Sequence, residues 1–105
     1  MKVIRMDEIE GKTNKRGVES KQLLKNDDLQ IMNLNLKSGD EVPTHSVPVN
    51  VFFYVVSGSG TIEISDDKAL VEEKDIVPCP PETEMSLWAD QGQQFSVLNV
   101  KAPSL

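Results

Sequence analysis

The sequence predicts an all-β chain that folds as a closed barrel or a sandwich. Three observations predict it. Val and Ile together supply 18 of the 105 residues and Ala only three, a balance that favours pleated, half-buried surfaces over helix. Apolar and polar residues alternate with period two in several short stretches. Clusters of Gly, Ser, Asp and Pro separate those stretches at short intervals, as the turns of a sandwich or barrel do.

The clearest strand is Gln30 to Leu36, with Met32, Leu34 and Leu36 on one face and Asn33 and Asn35 on the other. Lys37-Ser38-Gly39-Asp40 ends it. After Pro43 comes the densest apolar run, Val47 to Val56, apolar on both faces and therefore expected to be buried on both. Ser57-Gly58-Ser59-Gly60 reads as a break, Thr61 to Ile64 as a resumed strand, and Ser65-Asp66-Asp67-Lys68 as a tight hairpin into Ala69-Leu70-Val71. Glu72 to Asp75 is a further turn. Ile76-Val77 then runs into Pro78, Pro80 and Pro81, which cannot donate to a ladder, so this strand belongs at an edge. The last strand is read as Phe95 to Val100, with Phe95, Val97 and Asn99 on one side and a stop at Lys101-Ala102-Pro103. Toward the N-terminus, Val18 to Leu24 fits one more strand and Lys12 to Gly17 a polar loop. The reading is a single domain over 1–105, with 1–28 as an N-terminal arm and 29–103 as the barrel.

Charge and cysteine usage narrow the function classes. Seventeen acidic against eleven basic residues give a net charge of -6, which repels phosphate backbones and anionic lipid, so neither nucleic acid nor membrane is an expected partner. One cysteine, Cys79, forbids an internal disulfide, and no signal-like or spanning apolar segment is present, which together suggest a cytoplasmic protein. One histidine, His45, excludes Cys/His-rich zinc frameworks and any relay not built on it. The acidic pairs Asp66-Asp67 and Glu72-Glu73 lie at turns, with no partner placed for acid–base work.

From Gly39 to Pro103 the order of turns and strands resembles the cupin superfamily of small β-barrels, which implies an antiparallel jelly-roll barrel. Gly39 is followed after five residues by His45, and Gly58 closes the stretch at the family's spacing. The resemblance places metal ligands at His45, at 47 and 51, and in a second stretch near 85. Val47, Val51 and Met85 occupy the last three, so one ligand of four is kept. Valine coordinates nothing, and a catalytic divalent metal generally needs about three protein ligands.

The expected consequence is a metal-free barrel pocket formed by His45, Val47, Val51, Phe53, Cys79, Met85 and Trp88, suited to a small apolar or aromatic molecule whose polar group meets His45. Two alternatives stand beside it. One is an enzyme of isomerase or dioxygenase type, using His45 as a lone general base or a soft or divalent transition metal held by His45, Cys79 and Met85. The other is a structural module that forms a homodimer by exchanging the Val18 to Leu24 strand, an arrangement that also protects an edge.

Overall fold

The computed structural model describes residues 1–105. A short 3-10 turn at Met6–Glu8 precedes nine strands: β1 (Lys12–Thr13), β2 (Glu19–Lys25), β3 (Gln30–Leu36), β4 (Glu41–His45), β5 (Asn50–Ile64), β6 (Asp67–Glu72), β7 (Ile76–Cys79), β8 (Met85–Ala89) and β9 (Phe95–Ala102). Every pairing is antiparallel, and two sheets result. The first runs β1-β2-β3-β9-β5-β7 and the second β6-β5-β8-β4, with β5 common to both. This is the expected all-β jelly-roll barrel.

Strand β5 is where the sequence misleads. Ser57 to Gly60 reads as a break, yet the strand continues through it for fifteen residues. Its first half pairs with β9 and β7, and from Ser59 onward it pairs with β6 and β8. The transfer between sheets happens at a bulge between Val55 and Ser57, followed by Gly58 at φ +76°. A bulge bends a strand and raises its twist, and a positive φ suits glycine. An added Cβ at Gly58 would overlap the backbone carbonyl of Gln94, and one at Gly60 would enter the Phe95 ring. These glycines turn a strand around a corner instead of ending it.

Other elements follow more closely. The Ser65 hairpin forms with Ser65 at φ 55°, and the turn before β7 has Lys74 at φ 77°. β7 pairs with β5 alone, so the edge position demanded by Pro78 is met. The run from Val47 splits, because Val47 to Val49 connect β4 to β5. β8 is a strand that the prolines and polar residues before it conceal. The loop at Lys12 to Gly17 contains β1 and a turn that the Asn14 side chain closes by accepting from the backbone N–H of Arg16 and Val18. β2 pairs with β3 of its own chain along one edge, and along the other only Glu19 and Ser20 are paired, with β1.

The core lies between the sheets. Directly paired residues share a face, so on the first sheet Leu36, Phe95, Leu34, Val97 and Val55 point inward together with Phe53 and Val51. They meet Ile62, Leu87, Met85 and Ala89 from the second sheet in one cluster.

Gly58→Ala is expected to lower the unfolding free energy by about 1–3 kcal/mol, the usual cost of a non-glycine residue in the left-handed region, with the Gln94 overlap adding to it. Ser57→Ala, at an exposed neighbour, should stay within about 0.5 kcal/mol. Urea unfolding of both variants measures the difference; equal midpoints would contradict the corner role.

Candidate functional site

The inner face of the first sheet is graded. Its row Leu36–Phe95–Gly58 is packed shut, with Leu36 and Phe95 buried. Two rows away, Met32–Asn99–Phe53–Val77 mixes half-buried Met32 and Val77 with buried Asn99 and Phe53. The last row runs Lys25–Gln30–Lys101–Val51–Cys79. Here Gln30 and Lys101 face inward and are still half-exposed. Inward residues that keep contact with solvent mark an open end of the barrel. On the second sheet the row Ile64–Met85–His45 does the same, with His45 and Ile64 half-exposed beside buried Met85.

The residues singled out in the sequence divide accordingly. Val51, Phe53, Cys79 and Met85 belong to the core cluster, and Val47 packs against it. His45 is the direct cross-strand partner of Met85 and shares its face. Trp88 does not join them. It lies between inward Leu87 and Ala89 and pairs with Thr61 and Glu41 on the outer side, where it borders a shallow hollow with Gly39 and Asp40. The alternation of β8 excludes it from the interior.

His45 is oriented by its own strand. Its Nδ1 lies 2.9 Å from the Pro43 carbonyl oxygen. A carbonyl only accepts, so Nδ1–H donates and the neutral ring keeps its lone pair on Nε2. The Cys79 thiol lies 3.6 Å from the Thr83 carbonyl oxygen and 3.7 Å from that of Pro80. Burial pushes its pKa up, which keeps it a protonated thiol at neutral pH. It is a small apolar group donating weakly to backbone.

Two further polar residues face the interior. Asn99 is 6% exposed, and its Oδ1 is buried without a hydrogen-bond donor. Lys101, two residues on, has its pKa lowered, first by burial and then by repulsion from Lys25. Its row holds no carboxylate. Reading β9 as ending at Val100 hides Lys101. Extending its alternation one more step, from Phe95, Val97 and Asn99, is the signal that finds it.

A cavity of about 430 Å³ lies on the opposite, outer face of the first sheet, beneath Met6 and Asp7. Four of its polar side chains, those of Asn33, Asn35, Ser96 and Glu19, bond one another. The Asn33 amide donates to Ser96 Oγ and Val97 O at 3.0 Å, Ser96 Oγ donates to Asn35 Oδ1 at 2.7 Å, and Asn35 Nδ2 donates to Glu19 Oε1 at 2.9 Å. This network ties β2, β3 and β9 together. Asn99 Oδ1, by contrast, has no donor.

The geometry defines a small antiparallel barrel whose inner face is packed tightly around Leu36 and Phe95 and carries the half-exposed polar residues Gln30 and Lys101 in its last row. No family model matches the chain, and no curated protein sequence matches it. Among solved structures it is similar to KdgF from Halomonas sp., at TM-score 0.91 and 19% identity over 99% of this chain and 96% of that one. It is also similar to an RmlC-like cupin from Shewanella frigidimarina, at TM-score 0.87 and 16% identity over 95% and 88%. The polyketide cyclase RemF from Streptomyces resistomycificus matches at TM-score 0.88 and 15% identity over 99% and 80%. The fold is the cupin fold.

Cupins commonly hold a divalent metal, so the donor set here decides whether one fits. The resemblance drawn from the sequence puts Val47, Val51 and Met85 at ligand positions beside His45, and no three His, Cys, Asp or Glu side chains come together anywhere in the chain. The thiol of Cys79 is protonated and turned to backbone carbonyls. These residues do not fit the metal centre.

Lys101 has a consequence for stability against pH. Its folded pKa lies below the ordinary 10.5. Between the two values the unfolded chain holds a proton that the folded chain has released, so stability attributable to Lys101 rises with pH through that window. Below it the burial penalty is fully present. Lys101→Met is therefore expected to be more stable than the parent at pH 7, with the gap narrowing toward pH 10.5. Chemical denaturation across that range checks it; a less stable variant at pH 7 would contradict the assignment.

Proposed function

We propose that this protein binds a small molecule without a metal, taking it into the open end of the barrel with His45 as an orienting group. The observation that carries the reading is that valine and methionine stand at 47, 51 and 85, where the cupin resemblance implies metal donors, in a chain with a single histidine. Removing the ligands leaves apolar walls, and half-exposed Met32, Val47 and Ile64 offer apolar surface next to the polar groups. A cleft that is mostly apolar with a few placed polar groups is the usual form of a small-molecule site.

One observation favours a second reading. With Nδ1–H held by Pro43, the free Nε2 is set up as an acceptor and equally as a general base. RemF, which shares the fold, is described as a cyclase, and a lone base supports proton transfer on a bound substrate here without a metal. His45→Gln would then preserve binding and abolish turnover, while under the binding reading alone there is no turnover to lose.

Protein purified without chelator is expected to contain no stoichiometric transition metal. Metal present at one per chain and lost in His45→Ala would sink the proposal. In a thermal-shift screen of small aromatic and carboxylic compounds, a true ligand at 100 times its Kd should stabilise the fold by about 2.7 kcal/mol. Silence across the screen would move the case to a structural role.

A further inference from the structure

The inner face of the first sheet carries a half-buried lysine with no carboxylate in its row, and two residues before it an asparagine whose oxygen is buried without a donor. We infer that Asn99 and Lys101 form a subsite for a small 2-hydroxycarboxylate bearing an apolar substituent, with the carboxylate on Lys101 and the hydroxyl on Asn99. This rests on the reading of the interior as a ligand site and names the class of that ligand.

Each residue is costly as it stands. A buried amide oxygen without a donor loses its hydration and gains nothing in return. A half-buried ammonium beside Lys25 is disfavoured both by desolvation and by like charge. Residues i and i+2 of a strand lie about 6.6 Å apart on the same face, a span that a molecule of a few heavy atoms bridges. One such molecule therefore meets both.

The chemistry of each group selects its partner. The Lys101 ammonium has three donors and no acceptor, so it takes an anion. A hydroxyl both donates and accepts, so it meets the Asn99 amide whichever end of that amide is presented. Lys25 at the rim adds positive potential, and Gln30 between the two lysines offers another amide. Val51 and Met32, the lateral neighbours of Lys101 and Asn99, offer the apolar surface for a substituent. A carboxylate suits this set better than a phosphate. The chain has only two arginines, Arg5 and Arg16, and both are exposed in the N-terminal arm, so no bidentate fork is available for a dianion.

Calorimetric titration of the full chain with three probes tests each contact: mandelate, phenylacetate, which lacks the hydroxyl, and mandelamide, which lacks the charge. Mandelate should bind at least tenfold more tightly than either. Lys101→Met should erase the preference for mandelate over mandelamide, and Lys101→Arg should retain it. Asn99→Leu should erase the preference over phenylacetate. Thermal melts of each variant confirm that the fold is kept. Equal binding of mandelate and mandelamide by the parent, or a preference that survives Lys101→Met, overturns the subsite while leaving the interior reading in place. No binding of any probe, together with silence in the wider screen of neutral aromatics, overturns both.

Discussion

The structure depends on one strand serving two sheets. β5 is bonded along its length to β9, β7, β6 and β8 in turn, so the two sheets are halves of one hydrogen-bonded surface folded over at Gly58. A side chain there would meet the Gln94 carbonyl, and the neighbouring Gly60 gives its space to Phe95. The corner thus brings Phe95, Val97 and Val55 over Ile62 and Leu87 and seals one end of the barrel. With that end sealed, the opposite rows are where inward residues stay wet.

The open end follows from the same alternation that builds the core. Each inner row of the first sheet shares one face, yet moving from Phe95 to Lys101 along β9 the residues change from aromatic to aliphatic, to amide, to ammonium. Burial falls in the same order at the lysine. No special loop or lid is required for this gradient, because the strand's period of two delivers every second side chain to the interior. The outer face shows what a purely structural use of asparagine looks like: Asn33 and Asn35 are bonded to each other, to Ser96 and to Glu19. Asn99 is the same residue type two pleats from Val97 with its oxygen unanswered.

Much of this was legible in the residues. Strand β3, the Ser65 hairpin, the proline-marked edge β7 and the start of β9 all follow from local alternation and turn chemistry, which are short-range properties. What was not legible depends on tertiary context. Gly58 and Gly60 are strand residues because a second sheet needs the chain to bend there, and no local signal separates such a corner from a turn. The facing of Trp88 depends on the phase of β8, which its short sequence does not fix until it pairs with β5. Lys101 looks like a terminator beside Pro103, and only its register opposite Val51 and Gln30 shows that it points inward.

That register also explains why the missing ligands matter beyond metal binding. Val51 is the direct cross-strand neighbour of Lys101, and by resemblance it stands where a cupin carries a ligand glutamate. A carboxylate at 51 would sit on the same face, adjacent to the ammonium, and would neutralise it inside the protein. With valine there the lysine's charge is unanswered by its neighbour. Buried polar groups are ordinarily paired, because leaving them unpaired costs stability. On the proposed reading, valine at 51 lacks the donor that a metal would need and leaves the Lys101 ammonium free to meet an anion arriving from solvent.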